Sequence, residues 1–235
     1  MSMPFFFVPH LGEKKILMDE DASKHMIYVL RKKKGDEVLL TDGKGKKARA
    51  HITDDNRKKV VLEVDSITAD PGKFPKITVG ISLIKNTSRF EWFLEKATEI
   101  GVSEIIPLIC ERTEKEKFRY ERMQNIVLSA MLQSQQSWMP VLHEPKEFES
   151  VVSNNDHEKK YIAHCMDGEK TQLNKQVLNA GSSIILIGPE GDFSEGEIEN
   201  ALKHQWIPVN LGNTRLRTET AGMVASVLLV TNLQG

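Results

Sequence analysis

Residues 182–204 read SSIILIGPEGDFSEGEIENALKH. The apolar run at 184–187 is typical of a buried strand, and it ends in the turn residues GPEG at 188–191. Ser194 and Glu197 then form a capping-box pair, which predicts that a helix begins there. Because glycine lets a ligand approach the main chain closely, this strand–loop–helix unit predicts a loop that presents backbone atoms to a ligand.

A second loop of the same kind lies further along the chain. The sequence LGNTRLRTETAG at 211–222 leaves a short apolar strand and enters a helix. In open parallel sheets, ligands bind at the carboxyl ends of strands, so the two loops predict one site. Arg215, Arg217 and Glu219 lie within five residues there, which favours a functional role over plain surface charge. The sequence has neither a phosphate-binding P-loop motif nor a GxGxxG dinucleotide fingerprint.

The chain has two regions of different pattern. Residues 1–70 carry short β-type runs bounded by Gly, Asp and Asn. From residue 77 onward, strand and helix patterns alternate, which predicts an α/β domain with a mainly parallel sheet. The segment ADPGKFPK at 69–76 is the candidate linker, because it holds two prolines and a glycine.

The apolar pattern predicts three helices of particular interest. The first spans 21–32, the second spans 120–138, and the third spans 218–233. The predicted inner face of the first helix consists of Met26, Val29 and Leu30. The third is apolar on nearly every side, so one face covers the sheet and the other is expected to meet the same helix of a second subunit.

Composition excludes several classes of protein. The 235 residues are 40% hydrophobic and 28% charged, as in a soluble globular protein. No run approaches 18 apolar residues, and the N-terminus lacks the features of a signal peptide, so we expect a cytoplasmic protein without a membrane span. Cys110 and Cys165 form no CxxC motif and are expected to be reduced. The seven histidines lack metal-site spacing, so we expect no metal.

Net charge is −1, but its distribution is uneven. Residues 24–59 hold 12 Lys and Arg against 5 Asp and Glu, a local excess of seven positive charges. Most of them lie in two clusters, RKKKGD at 31–36 and GKGKKAR at 43–49. Such clusters indicate either a solvated face or a surface that contacts nucleic acid, and the sequence alone leaves both interpretations open.

The two loops, in this order and spacing, resemble the signature loops of the SPOUT superfamily of methyltransferases. The likeness is greatest to the family that methylates uridine N3 in small-subunit (16S) ribosomal RNA. EWFLEKATEIGVSEIIPLICER at 91–112 resembles a helix–strand segment of that family, and HMIYVLRKKKGDEVLLTDGKG at 25–45 resembles its N-terminal RNA-binding domain. The resemblance therefore covers nearly the whole chain.

The resemblance implies a PUA-like β-barrel domain at 1–72 and a methyltransferase domain with a deep trefoil knot at 73–235. It further implies a homodimer that binds S-adenosylmethionine and ribosomal RNA. The implied cofactor-binding residues are Ile187, Gly188, Glu190, Gly191, Leu211, Gly212, Leu216, Arg217, Thr220 and Ala221. The implied RNA-binding residues are Arg31, Lys32, Lys33, Lys34, Lys46 and Lys47.

Two residues are candidates for catalysis. Uridine N3 must lose a proton before it can accept a methyl group, and negative charge then spreads onto O2 and O4. Arg217 is expected to stabilise that charge or to contact a phosphate. Glu219 is a candidate proton acceptor, although a carboxylate in a first helical turn is also explained by the helix dipole.

Three features depart from the family pattern. The family often has a Glu-Gln-Ser-Gly-Arg-like run where this chain reads LQSQQSWMP at 132–140. Asp192 stands where a second glycine usually follows GPEG, and Asn213-Thr214 replaces the usual proline before the arginine. The alternatives are a SPOUT enzyme for another nucleotide, such as a transfer RNA ribose 2′-OH, a non-catalytic RNA-binding protein, and a nucleotide-dependent α/β enzyme of another kind.

Overall fold

The computed structural model describes residues 3–72, 75–114, 117–176 and 181–231. The chain folds into two units. The N-terminal unit comprises residues 1–72 together with 131–139, and the C-terminal unit comprises 73–130 and 140–235. The assignment of 1–72 and 73–235 as RNA-binding and catalytic domains stays a prediction, and no local sequence pattern indicates that 131–139 joins the first unit.

A five-stranded sheet forms the N-terminal unit. Its elements are β1 (Phe5–Phe7), β2 (Lys15–Leu17), α1 (Glu20–Lys24), a π-helical turn (His25–Val29), β3 (Glu37–Thr41), β4 (Lys46–Asp54) and β5 (Val61–Ala69). The strand order is β1-β3-β4-β5-β2, and only the β1–β3 pair is parallel. Along β4, Ala48, Ala50 and Ile52 are buried in alternation with more exposed residues, as the period of two requires.

The predicted helix at 21–32 is instead α1 followed by the π-helical turn. Met26 is fully buried and Leu30 packs against the core, as predicted, but Val29 is 65% exposed. The prediction for Val29 is wrong because a π turn closes on i→i+5 hydrogen bonds and holds more residues than an α turn. Val29, the third residue after Met26, therefore points away from the core, whereas Leu30, the fourth, still faces it.

The predicted helix at 120–138 ends early, and the residues after it complete the N-terminal unit. The helix is α3 (Tyr120–Gln133). Beyond it, the Ser137 carbonyl accepts a hydrogen bond from the amide of Gly45 at 2.9 Å, and Trp138 forms a β-bridge with Lys44. The Ser137 hydroxyl donates to the Asp70 carboxylate at 2.5 Å. The chain leaves the helix because it pairs with the 42–45 turn, a long-range contact that local periodicity does not report.

The C-terminal unit is built on an eight-stranded sheet in which every pair is parallel. The strand order is β11-β13-β10-β12-β6-β7-β8, and β9 pairs with β7. This architecture confirms the predicted α/β class. The strands are β6 (Ile77–Ser82), β7 (Glu104–Ile109), β8 (Val141–Leu142), β9 (Lys146–Glu147), β10 (Lys159–Ala163), β11 (Thr171–Gln172), β12 (Ser183–Ile187) and β13 (Ile207–Asn210). The helices besides α3 are α2 (Thr87–Ile100), α4 (Phe148–Ser153), α5 (Leu173–Gln176), α6 (Glu195–Lys203) and α7 (Thr218–Thr231).

Helix α7 packs against α2, β6 and β12. Gly222 makes the approach to α2 and β6 possible, since a Cβ there would lie 2.7 Å from Phe93 Cε2 and 2.8 Å from Ile81 Cδ1. The final residues of the predicted helix at 218–233 lie outside the described residues. Over the described ranges, no helix has both the length and the apolar character needed to cross a membrane.

A small charge cluster lies at the amino ends of β6 and β7. Glu104 Oε2 is 3.5 Å from His143 Nε2, and Glu104 Oε1 is 3.4 Å from Lys76 Nζ. His143, whose Nε2 lies 3.5 Å from the carboxylate, together with the positive charge of Lys76, lowers the pKa of Glu104 to about 2, although burial opposes the shift. Because the carboxylate is favoured in the folded state, it stabilises the fold above its ordinary pKa of 4.5 and ceases to do so as the pH falls towards 2.

We therefore expect the free energy of unfolding of Glu104→Gln to depend less on pH in acid than that of the native protein. The free energy of unfolding of the native protein should fall by up to about 3 kcal/mol through this group between pH 5 and pH 2. The variant should be less stable at pH 7 and should change less with acid. Urea unfolding at several pH values measures both, with Glu169→Gln on the exposed surface as the control. Parallel pH profiles for the native protein and Glu104→Gln would contradict the assignment.

A second prediction concerns the 42–45 turn. Gly45 has φ +96°, and a Cβ there would lie 2.5 Å from Trp138 Cζ2. Gly45→Ala combines left-handed backbone strain of about 1–2 kcal/mol with overpacking of about 1–3 kcal/mol. Gly35 has φ +92° but open space around it, and Gly12 has neither feature. Urea unfolding should rank the three alanine variants Gly45, Gly35 and Gly12 from most to least destabilised, and equal effects at Gly45 and Gly35 would exclude a role for Trp138.

Candidate active site

The candidate site lies where three neighbouring parallel strands end. Ala163 of β10 is level with Ile187 of β12 on one side and with Val209 of β13 on the other. The loops that follow these strands therefore leave from one edge of the sheet. Strand β6 lies next to β12, with Ile81 level with Ile187, and it leads into α2 at the same edge. Four chain segments that are far apart in sequence thus meet at the carboxyl ends of their strands, as expected for such a sheet.

The first glycine loop is held in shape by Asp192. This residue has φ +65°, the left-handed region that favours glycine, and its amide donates to the Pro189 carbonyl at 2.9 Å. Its Oδ2 accepts from the amide of Cys165 at 2.7 Å, and its Oδ1 accepts from the amide of Phe193 at 2.9 Å. Aspartate tolerates this conformation when its side chain binds nearby backbone, which explains how it replaces the usual glycine.

Arg112 holds the other side of this loop. Its Nη1 donates to the carbonyls of Gly191 and Phe193 at 2.8 and 3.3 Å. The predicted capping box is present, with Ser194 and Glu197 each accepting from the other's amide. Glu197 also accepts from the amide of Glu111 at 2.9 Å. The loop and the start of α6 are therefore fixed before any ligand binds.

A cavity of about 410 Å³ opens between the two glycine loops. Its lining includes six of the predicted cofactor-binding residues together with positions that the sequence did not single out. The predicted residues in this lining are Ile187, Gly188, Glu190, Leu216, Arg217 and Ala221. We call this space the first cavity.

A second cavity of about 300 Å³ adjoins it and shares five lining residues with it, Ala163, Cys165, Arg215, Leu216 and Ala221. Two buried polar atoms in residues that line it, His164 Nδ1 and Asn210 Oδ1, have no hydrogen-bond partner among the described residues. Burial, with the charge of Lys170, lowers the pKa of His164 below its usual value of 6.5, so the imidazole is neutral at pH 7. Two predicted residues, Leu211 and Gly212, line this second cavity.

The arginines of the site differ in their surroundings. Arg89 lines the first cavity, and its Nε is 3.6 Å from Glu219 Oε1. The side chains of Arg215 and Arg217 are exposed at the cavity, and within the described ranges neither side chain forms an ion pair or hydrogen bond. Arg217 therefore lines the first cavity, and its role there stays a prediction.

Glu219 lies behind this lining. Its side chain is 9% exposed and paired with Arg89, and its Oε2 is buried without a hydrogen-bond partner in the described part of the chain. Thr220 and Gly191 are likewise outside both linings. Gly191 faces Arg112 instead, since a Cβ on it would meet Arg112 Cδ at 3.4 Å.

Sequence reasoning missed Arg89, the β10 loop and the function of Asp192. Arg89 lies in the first turn of α2, and only the strand order brings it to the cavity. His164 and Cys165 could have been suspected, because they too follow a strand with a buried centre. The role of Asp192 could have been inferred from its place in a glycine-type turn, since Asp and Asn tolerate the left-handed region.

The predicted RNA-binding residues lie in the N-terminal unit and are not equivalent. Arg31, Lys33, Lys34 and Lys46 are exposed, whereas Lys32 and Lys47 are half-buried. Lys47 Nζ is 2.7 Å from Asp70 Oδ2, and this hydrogen bond lowers the pKa of Asp70. Lys47 is therefore engaged within the protein, and the exposed lysines are better placed to reach a phosphate.

The possible metal ligands do not cluster in the part of the chain that the structure describes. Over the described ranges, no group of three or more His, Cys, Asp or Glu side chains could hold a metal ion. Cys165 lines both cavities, and Cys110 is buried elsewhere in the sheet core.

Comparison with known proteins gives consistent results. A family model described as RNA methyltransferase domain matches residues 72–230, and one described as RNA methyltransferase PUA domain matches residues 18–65. The chain is similar to the ribosomal RNA small subunit methyltransferase E of Synechocystis, with 32% identity over 84% of this chain and 66% of that protein, just under two thirds of its length.

Two solved structures extend the likeness over the full fold. One is the crystal structure of a probable rRNA-methyltransferase from Porphyromonas gingivalis, with a TM-score of 0.92, 34% identity and 98% coverage of both chains. Another is a ribosomal RNA small subunit methyltransferase E from Neisseria gonorrhoeae bound to S-adenosyl methionine, with a TM-score of 0.88, 27% identity and 98% coverage of both chains.

The geometry of Asp192 can be tested by three substitutions. Asp192→Ala loses both side-chain hydrogen bonds and keeps the strained φ, so the free energy of unfolding should fall by about 2–4 kcal/mol. Asp192→Gly relieves the strain and should cost less, and Asp192→Asn keeps one acceptor and should cost least. Urea unfolding measures the order. If Asn is as damaging as Ala, the hydrogen bonds are not what matters, and if Gly is as damaging as Ala, the backbone strain is not.

Proposed function

The chain belongs to the RNA methyltransferase family whose domain model matches residues 72–230, and from this premise we propose that it transfers the methyl group of S-adenosylmethionine to N3 of a uridine in the 16S ribosomal RNA of the small subunit. The observation that carries the proposal is the first cavity, which lies between the two glycine loops and has the second cavity adjoining it. Arg215 and Arg217, which are unpaired within the described residues, line the first cavity. The named activity of the Synechocystis relative and the cofactor bound to the N. gonorrhoeae relative support the substrate and cofactor.

The residues present fit S-adenosylmethionine. Each cavity lies within the range of about 300–1,000 Å³ that small-molecule sites occupy. Small residues leave room at their junction, where Ala163 and Ala221 line both. His164 and Asn210 line the second cavity, and each has a buried atom, Nδ1 and Oδ1, without a hydrogen-bond partner in the described residues. When bound, the cofactor supplies an electrophilic methyl group on a sulfonium.

The chain's own contribution to the reaction is positioning and charge stabilisation. The loops at 188–192 and 211–217 hold the reactants at short range, which raises their effective concentration. As uridine N3 loses its proton, negative charge develops on O2 and O4. Arg217, exposed at the first cavity and unpaired within the described residues, is the group that we assign to this charge.

Arg89 and Glu219 act as a pair in this proposal. The 3.6 Å contact keeps the Arg89 guanidinium at the cavity wall, where it can bind a phosphate or a uridine oxygen. Glu219 is then a positioning residue. Because its Oε2 has no hydrogen-bond partner in the described residues, Glu219 also remains a candidate for the proton acceptor. The pH profile of kcat for Glu219→Gln separates the two roles, because only loss of a proton acceptor would remove the acid limb.

We also propose that two copies of the chain associate through α7. Met223, Val224 and Val227 of this helix are apolar and only half-buried in a single chain. A second copy would cover them, and the site loop enters α7 directly, so assembly and the site would be linked. The trefoil knot, the RNA-binding role of the N-terminal unit and a cytoplasmic location complete the proposal, as the resemblance implies.

The function is tested by mass spectrometry of 16S ribosomal RNA from a strain that lacks the gene, with and without the added protein. We expect one N3-methyluridine to be absent and then restored. Isothermal titration should show one S-adenosylmethionine bound per chain. A missing ribose methyl group instead would favour another nucleotide target, and a protein that does not bind the cofactor would contradict the enzymatic assignment.

Arg217 gives the sharpest test of the site. Arg217→Ala should lower kcat at least a hundredfold, since a preorganised donor at developing charge contributes on that scale. Arg217→Lys should recover part of the activity because it keeps the charge. Lys203→Ala, on the exposed face of α6, is the control. Subunit association should stay unchanged in all three, and native turnover in Arg217→Ala would remove Arg217 from the reaction.

A further inference from the structure

One exposed aromatic side chain of the N-terminal unit has a cation stacked on it. Tyr28 is 56% exposed, and Arg57 Cζ lies 5.4 Å from the centre of its ring. Arg57 Nη1 also donates to the Tyr28 hydroxyl at 3.4 Å. An exposed tyrosine ring with an arginine over one face combines a flat aromatic surface with a positive charge. Neither residue takes part in the proposed chemistry.

The tyrosine is carried by a well-packed element. Met26, two residues earlier in the π-helical turn, is fully buried, and Leu30, two residues later, packs on the core. The ring of His25 meets that of Phe6 edge-on, with 6.1 Å between ring centres. Because the turn is anchored on both sides, the ring is presented at a fixed place, and little entropy would be lost when a ligand stacks on it.

The surroundings of the ring are basic. The backbone amide of Lys34 donates to Asp55 Oδ2 at 3.4 Å, which brings the 31–36 cluster beside the 54–59 turn that holds Arg57. Within the described residues, four exposed ammonium groups here have no ion-pair partner. They belong to Lys33, Lys34, Lys58 and Lys59. Such charges attract a phosphate backbone but do not distinguish one strand from two.

We propose that Tyr28 and Arg57 form a stacking platform for one unpaired base of the RNA substrate, held by the lysines around it. The inference rests on the proposed function and deepens it. The charge excess favours RNA over a protein partner, and the exposed ring favours a single strand, since a base inside a duplex has no free face to offer. Arg57 covers one face of Tyr28 and the base stacks on the other.

The test uses the full-length protein and a fluorescein-labelled, 12-nucleotide RNA of mixed sequence, free or annealed to its complement. Tyr28→Ala should weaken single-strand binding about tenfold and leave duplex binding within about twofold. Tyr28→Phe keeps the ring and should bind as the native protein does. Val29→Ala, at the neighbouring exposed residue of the same turn, is the matched control and should change nothing.

Salt dependence separates stacking from charge. Tyr28→Ala should leave the slope of log affinity against log salt unchanged, whereas Lys33→Ala should reduce it by about 0.7 for a single strand. As a check that needs no variant, RNA carrying 4-thiouridine should crosslink to the tryptic peptide at 25–31, which contains Tyr28.

Equal single-strand affinity for Tyr28→Ala and the native protein, or an equal loss on both RNA forms, would overturn the platform. Crosslinks confined to other peptides would do the same. Such a result with normal cofactor binding and methylation would leave the proposed function standing. A native protein that binds neither S-adenosylmethionine nor RNA would instead remove both. If Tyr28→Ala alters only association with a protein, the surface serves a protein partner and the RNA inference is wrong.

Discussion

The register of the parallel strands β10, β12 and β13 is the constraint on which the site depends. A strand that is buried along its whole length, as β12 is, does not fix its register by alternating apolar and polar residues. Gly80 of β6 restricts the register of β6 against β12 by sterics. It lies opposite Leu186 of β12, and a Cβ on residue 80 would lie 2.7 Å from Leu186 Cδ2. A slipped pairing would set Leu186 against a residue with a side chain. The level of Ile81 with Ile187, and hence the place where β6 leads into α2 beside the loop after β12, is a consequence of this fit.

The sequence predicts those parts of the fold that are encoded locally. The capping box of Ser194 and Glu197 and the parallel α/β pattern are visible because each depends on residues a few positions apart. Arg89 at the cavity and the segment 131–139 in the N-terminal unit are not visible, because both depend on pairings of distant strands. The prediction that Val29 faces the core is wrong for a third reason: a π turn changes the helical period on which the prediction rests.

The distribution of unsatisfied polar atoms separates structural from ligand-directed parts of the site. Around the first loop, Asp192 and Arg112 use their polar groups on the protein's own backbone. His164 and Asn210, which line the second cavity, each have a buried atom, Nδ1 and Oδ1, with no hydrogen-bond partner in the described ranges, and so does Glu219, at Oε2, behind the first cavity. Buried polar groups are costly unless they are paired, so the contrast is between groups that the protein's own backbone satisfies and groups that it leaves unsatisfied.

In the N-terminal unit, too, some polar groups are engaged within the protein and others remain available to a ligand. Lys47 is engaged by Asp70, and Lys24 is engaged by Glu20 at 2.9 Å, so part of the positive charge stabilises the unit itself. The number of Lys and Arg residues in 24–59 therefore overstates the positive charge that is available to a phosphate backbone. The remaining cations give affinity that is insensitive to sequence and to strandedness. A fixed aromatic ring among them adds a requirement that a base be unstacked. The proposed target, N3 of a uridine, is an atom paired in a duplex, so RNA that is already open would be the more accessible substrate.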